Sequence, residues 1–215
     1  MIEIRQYVDA LGRNAFERWF EKLDGGTRAR IAISLERAGA GNLSTAKGVG
    51  TIFELRLDFG PGYRIYFGKD GDTLVILLAG GTKHRQQNDI EKAQTLWREY
   101  RQRKRERYMP LTKSFNTTVK EQLRKSEEFR RALLREAVGC MLTGDLETGK
   151  SVLRKYINGT VGFVQLGADL GRSPKVLMRM FGPTGNPQAK NLFEIVAYLQ
   201  KVEGTVLEVV DRTAA

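Results

Sequence analysis

The 215-residue chain is predicted to fold as an α+β domain, two helices on an antiparallel sheet, followed by an all-α domain with a helix-turn-helix. Three observations predict this. In the first half, two runs of helical periodicity precede three strand-like runs in close succession. Turn signals, Gly60-Pro61-Gly62 and Lys69-Asp70-Gly71-Asp72, join those strands. Beyond the basic stretch RQRKRER at 101–107 the pattern is almost wholly helical.

Ile2 to Val8 alternates as a strand does. Residues 15–23 (AFERWFEKL) and 27–38 (TRARIAISLERA) then place Trp19, Phe20, Ile31, Ile33 and Leu35 on buried helix faces. The strands are expected at 51–58, 63–69 and 73–78, as a meander packed on the preceding helices. A helix from about Asn88 runs into the basic stretch, which is either a solvated helix end or a surface that touches phosphate. Helices are expected in the second half at 117–125, 127–142, 146–157 and 189–202, with Asp145 as an N-cap. A β-prone tail at 205–210 closes the chain. The predicted domains are 1–106 and 109–215. The second opens Met109-Pro110-Leu111-Thr112 like an independent reading frame, so the chain reads as two adjacent genes fused.

The helix-turn-helix is predicted in VGFVQLGADLGRSPKVLMRMFG at 161–182. Val164, Leu166 and Leu170 form an apolar face, and Gly171 supplies the turn. Ser173 caps a second helix that Pro174 begins. Val176, Leu177 and Met180 are expected inside, leaving Ser173, Lys175, Met178 and Arg179 to face a DNA major groove. Lys190 or Asn191 is placed to reach phosphate. The bland alternative is an ordinary helical hairpin.

Charge agrees with polyanionic partners. Lys and Arg outnumber Asp and Glu by 20 to 14 up to Tyr108 and by 16 to 11 after it. The single cysteine, Cys140, excludes an internal disulfide and a Cys-based zinc site, and is expected in the core. No apolar run approaches the roughly 20 residues that span a bilayer, and a cytoplasmic protein is expected.

In the meander, pairing brings Arg56 and Arg64 side by side, with Tyr66 two residues on. Lys83, His84 and Arg85 follow the last strand, and Lys47 lies just before the first. Fixed guanidinium groups of this kind hold a phosphodiester and stabilise charge developing on it. Cleavage of RNA without a metal also needs a base for the 2′-hydroxyl and an acid for the leaving oxygen. His84 titrates nearest neutrality, with Lys83 or Tyr66 as substitutes. The site predicted is Arg56, Arg64, Tyr66, Lys83 and His84, with Lys47 and Arg85 binding RNA. No metal-ligand spacing is present, so neither metal nor other cofactor is expected. Against this reading, Glu54 and Arg56 form an ordinary ion pair, and His84 is an exposed loop residue.

Residues 1–100 resemble the RelE/ParE toxin superfamily, in its HigB-type or phage-derived addiction-module killer branch. Trp19, Leu23, Lys47-Gly48-Val49-Gly50, Glu54-Leu55-Arg56, Gly60-Pro61-Gly62-Tyr63-Arg64-Ile65-Tyr66, Gly80-Gly81-Thr82-Lys83, Gln86 and Asp89-Ile90 carry the resemblance. The second half is similar, more loosely, to helix-turn-helix antitoxins of the HigA kind. Leu146-Glu147-Thr148-Gly149-Lys150, Tyr156-Ile157-Asn158, residues 177–183 and Gly185-Asn186-Pro187 carry that match. The resemblance implies a type II toxin–antitoxin module in one chain. Its first domain is an mRNA endonuclease, ribosome-dependent or free, neutralised by a second domain that also binds operator DNA and represses transcription as a homodimer. It also implies a RelE-like fold, with Arg64 at the position of the transition-state arginine. Arg56 and Lys83 fall at basic positions of the active-site face. Two rival readings stand beside it: a regulator with an inactive RelE-like domain, and a ParE-like gyrase-binding toxin.

Overall fold

The computed structural model describes residues 2–71, 74–83, 86–106 and 112–210. Two compact units divide the chain, Met1–Glu121 and Gln122–Ala215. The first is a mixed α/β unit and the second is built of helices.

In the first unit the order is β1 (Glu3–Tyr7), α1 (Ala15–Phe20), α2 (Gly25–Gly39), β2 (Ala46–Val49), β3 (Ile52–Leu57), β4 (Tyr63–Lys69), β5 (Leu74–Thr82), α3 (Gln86–Arg105) and β6 (Thr112–Ser114). The division between units falls within α4 (Phe115–Lys125). Local capping sets several starts. The side chains of Asn14 and Asp24 accept hydrogen bonds from the backbone N–H groups of Glu17 and Thr27, satisfying donors that open α1 and α2.

The sheet order is β2-β3-β4-β5-β1-β6. The meander β2 to β5 is antiparallel, as expected, but β1 lies parallel to β5, and this corrects the antiparallel sheet predicted. The chain leaves β1 through two helices, crosses to the far edge and returns strand by strand, so β5 arrives beside β1 in the same sense. Helices cover both faces. The Trp19 ring of α1 lies over Gly80, where an added Cβ would fall 2.1 Å from it, and that of α3's Trp97 lies over Gly68 at 2.3 Å. The two glycines are on opposite faces, and a side chain at either would displace the ring. Under α3 the core gathers Tyr7, Ile52, Tyr66, Ile76, Leu78, Ala93, Trp97 and Tyr100.

The stretch 112–121, read from sequence as the start of the second domain, belongs to the first unit. β6 pairs antiparallel with β1, placing Arg5 opposite Ser114 and Tyr7 opposite Thr112. Phe115 packs edge-on against Phe16 and Phe20, at 6.0 and 5.7 Å between ring centres. A buried polar chain links the same elements. Asn14 donates to Gln6 (2.9 Å), Gln6 donates to the Thr118 hydroxyl (2.6 Å), and Thr118 donates to Glu17 (3.1 Å). In the basic stretch, residues 101–105 are the end of α3, held by Lys104 on Asp70 and Arg103 on the Tyr7 hydroxyl.

The second unit contains α5 (Glu127–Leu142), α6 (Leu146–Gly159), α7 (Gly162–Asp169), α8 (Pro174–Met180) and α9 (Ala189–Glu203). Its core includes Phe129, Leu133, Leu134, Leu153, Ile157, Leu166, Leu177 and Leu199, with Cys140 also buried. Asp145 caps α6 as predicted, accepting from Thr148. Glu203, buried near the end of α9, takes Arg130 (2.9 Å) and the Tyr156 hydroxyl (2.6 Å), which ties α9 to α5 and α6. The β-prone tail forms no strand at 205–210. Among the described residues, one of its amides, Leu207, finds a side-chain acceptor, on Gln200, and a strand needs a paired neighbour.

Candidate nucleic-acid site

Alternation along β3 and β4 brings Glu54, Arg56, Arg64 and Tyr66 to one sheet face, near the start of α3. The register sets them in rows. Lys47 of β2 is opposite Glu54, Glu54 opposite Tyr66, and Tyr66 opposite Ala79. In the next row Arg56 is opposite Arg64, and Arg64 opposite Gly81. The side-by-side arginines predicted from the sequence are therefore present.

Two guanidinium groups in register repel unless a counter-charge holds them. Glu54 supplies it. This carboxylate has no exposed surface; Arg56 Nε donates to its Oε2 at 2.8 Å and Arg64 Nε stands 3.5 Å from its Oε1. Gln86, the first residue of α3, donates to Oε1 at 2.9 Å, and the Tyr66 hydroxyl lies 3.5 Å from the same oxygen. Arg56 is thus anchored by a hydrogen bond from its Nε, whereas the buried Arg64 Nε meets the carboxylate as an ion pair without a hydrogen bond. Among the described residues, neither donates from its Nη atoms to a protein acceptor. Arg56 is 42% exposed and Arg64 12%, so one fork reaches solvent while the other lies at the floor. A second carboxylate borders the site. Asp89 packs flat on Gly81, where a Cβ would fall 1.9 Å from its Oδ2, so this approach requires glycine.

Tyr66 is corrected by its placement. Its side chain is fully buried, and burial, then the Glu54 and Asp89 charges, push the phenol well above its ordinary pKa. It stays protonated, and its hydroxyl faces Glu54. Lys47 is exposed on β2. Lys83 is exposed just past β5, and its amide donates to Gly62 (3.2 Å), next to the turn that precedes Arg64. His84 and Arg85 lie outside the described residues. Sequence reading missed Glu54 and Gln86 as parts of the site. The signal available was the three-residue run Glu54-Leu55-Arg56, whose alternation already puts the acid and the base on one face.

Glu54→Gln removes the counter-charge from a buried arginine. We expect about 3 kcal/mol of destabilisation, the low end for breaking a buried pair from one side. The double variant Glu54→Gln/Arg64→Gln should recover part of that loss in urea titrations. Additive losses would mean that the two side chains do not interact.

In the second unit, α7 and α8 meet at a tight turn. Gly171 has φ +62°, and Gly167 lies so close to the Arg172 carbonyl that a Cβ there would approach to 2.6 Å. Ser173 is the N-cap residue and Pro174 begins α8, although the serine hydroxyl makes no capping bond. Of the positions predicted inside, Leu177 is buried, Met180 half-buried, and Val176 exposed at 37%. In α7, Val164 is 76% exposed, and Phe163 with Leu166 forms the buried face. A seven-residue helix buries one narrow strip, which Leu177 occupies. Lys175, Met178 and Arg179 are exposed on the opposite strip, with Ser173 exposed at its start. From α6, Arg154 donates to the Met178 carbonyl at the end of α8 (2.5 Å). Lys190 is exposed and Asn191 half-buried in the first turn of α9.

The first unit is a mixed α/β unit whose sheet face carries paired arginines on a buried acid, and a helical unit follows it. A protein of Haemophilus influenzae (strain Rd), described only as uncharacterized, is 42% identical to this chain over 86 residues. That match covers 87% of the Haemophilus protein and 39% of this chain, and the chain belongs to the same family as that protein. No family model and no solved structure matches the chain. No helix among the described residues is long and apolar enough to cross a membrane.

Proposed function

We propose that the first unit is a RelE/HigB-like endoribonuclease toxin that cuts mRNA without a metal, joined in one chain to its helix-turn-helix antitoxin. The observation that carries this reading is the Arg56–Arg64 pair, held on the buried Glu54 charge at its Nε atoms, with no Nη donation to a protein acceptor among the described residues, so that the Nη ends can take phosphate oxygens. In RNA cleavage the 2′-hydroxyl attacks its own phosphate, and charge builds on the non-bridging oxygens. Two preset guanidinium groups in a partly dry site stabilise that charge without reorganising. Neither arginine exchanges the protons, because both stay charged, and the buried, protonated Tyr66 does not either. Lys83, exposed at the same end of the sheet, and Asp89, at the border of the site, are described residues left for that role, with His84 next in sequence to Lys83.

The second unit, in this reading, neutralises the toxin and presses α8 into operator DNA as a homodimer. Residence in one chain gives the inhibitor a high effective concentration, roughly millimolar for a short connection that spans the two sites. The test is expression of residues 1–121 alone and with residues 122–215 supplied separately. Growth arrest with cleavage inside translated messages, relieved by the second fragment, is the expected result. Arrest with a DNA-damage response and intact messages would favour gyrase as the target, and harmless growth would favour a regulator. For the DNA half, the Lys175→Ala/Arg179→Ala double variant should lower the slope of log affinity against log salt by about 2 on DNA from upstream of the coding region. An unchanged slope would remove α8 from the DNA interface.

A further inference from the structure

Helix α3 carries a second concentration of positive charge that the arginine pair does not use. Arg98, Arg101 and Arg105 recur at helical spacing on its solvent side and, with Gln102 and Glu106, line an open depression of about 480 Å3. All three arginines are exposed. Among the described residues none of them has a carboxylate partner; Arg98 donates to the Thr95 hydroxyl (3.2 Å). The carboxylates on the same stripe, Glu91 and Glu106, are hydrogen-bonded instead by Gln87 and Gln102, both at 2.9 Å. The neighbouring cations are used differently, Lys104 on Asp70 and Arg103 on Tyr7 and the Val8 carbonyl. Like charges three and four residues apart cost a helix a few tenths of a kcal/mol per pair. Three arginines in line, without a carboxylate partner among the described residues, are therefore set for an external anion with a repeated charge.

We propose that this ridge binds the phosphodiester backbone of RNA outside the cleavage site, and so lengthens the substrate footprint. The choice of RNA rests on the ribonuclease reading; the anion-binding ridge does not. Gln86, which touches Glu54, opens α3, and a rise of 1.5 Å per residue puts Arg98 about 18 Å and Arg105 about 28 Å further along the axis. At the roughly 3.4 Å rise per phosphate of a stacked, helical strand, an RNA held at both places spans on the order of eight nucleotides, and an extended strand spans it with fewer. Guanidinium forks suit this task because each can take two phosphate oxygens at once.

The experiment compares the full chain with its Arg98→Gln/Arg101→Gln/Arg105→Gln variant by fluorescence anisotropy, on unstructured RNAs of 4 and 20 nucleotides over a range of salt. For the 20-mer, we expect the slope of log affinity against log salt to fall by about 2, from roughly 0.7 per lost contact. Affinity at low salt should fall at least tenfold, while the 4-mer binds as before. An unchanged 20-mer slope, or equal losses on both RNAs, overturns the proposal. Competition by poly-glutamate equal to that of RNA would overturn the choice of partner. Arg64→Ala, measured in parallel, separates the two readings. If residues 1–121 carrying Arg64→Ala cleave RNA at the parental rate while the ridge variant still loses the 20-mer, the cleavage site is misassigned and the ridge stands.

Discussion

If the first unit is the ribonuclease proposed, Arg64→Ala should lower RNA cleavage by residues 1–121 about 10²- to 10³-fold, the expected loss when one preset donor to transition-state charge is removed. The effect should be in kcat more than in KM, because Arg56 and Lys47 still bind ground-state phosphate. Arg64 is 12% exposed and lies beside the buried Glu54, so its removal also strains the sheet. Arg64→Lys keeps the charge without the fork, and should fold like the parent while remaining well below it in rate. Cleavage by a folded Arg64→Ala protein at the parental rate would dismiss the site. The measurement is a time course on a defined message, with circular dichroism to confirm folding.

Phe115→Ala should destabilise the first unit by about 3–5 kcal/mol, the usual cost of emptying a buried phenylalanine site. Phe115 is 5% exposed and closes an aromatic cluster with Phe16 and Phe20, residues almost a hundred positions earlier. The same logic predicts that a fragment ending at 106 melts far below one ending at 121, or shows no cooperative transition. It lacks β6, Phe115 and Thr118, the acceptor for Gln6, whose amide would be left buried without a partner. Equal denaturant midpoints for the two fragments would mean that 112–121 contributes nothing to the first unit.

What was legible in the sequence was local. The meander followed from Gly60-Pro61-Gly62 and strict alternation, and alternation also put Arg56 beside Arg64. Helix starts followed from caps such as Asp145. What was hidden depends on partners distant in sequence. Nothing near Glu3–Tyr7 says that the strand lies parallel to β5 or accepts β6, because those pairings are chosen by the whole sheet. Residues 112–114 are too short and polar to read as a strand until β1 is beside them. Glu54 looked like half of an ordinary ion pair, and its burial was invisible without α3, whose Gln86 closes over it. In α8 the period predicted three inward residues, but a helix of two turns has room for one buried strip. Val176 was therefore left outside.

The position of β1 between β5 and β6 has a consequence for how the protein is made. The strand is translated before the rest of the sheet, yet its second neighbour follows over a hundred residues later. At roughly 5–20 residues per second, the gap between completing β5 and supplying β6 lasts a few seconds. Through that interval the nascent sheet exposes an open edge along β1, a template for stray pairing with other chains. Premature termination near residue 106 would make that exposure permanent. Truncated products should therefore aggregate or be degraded, and would not accumulate as an active fragment.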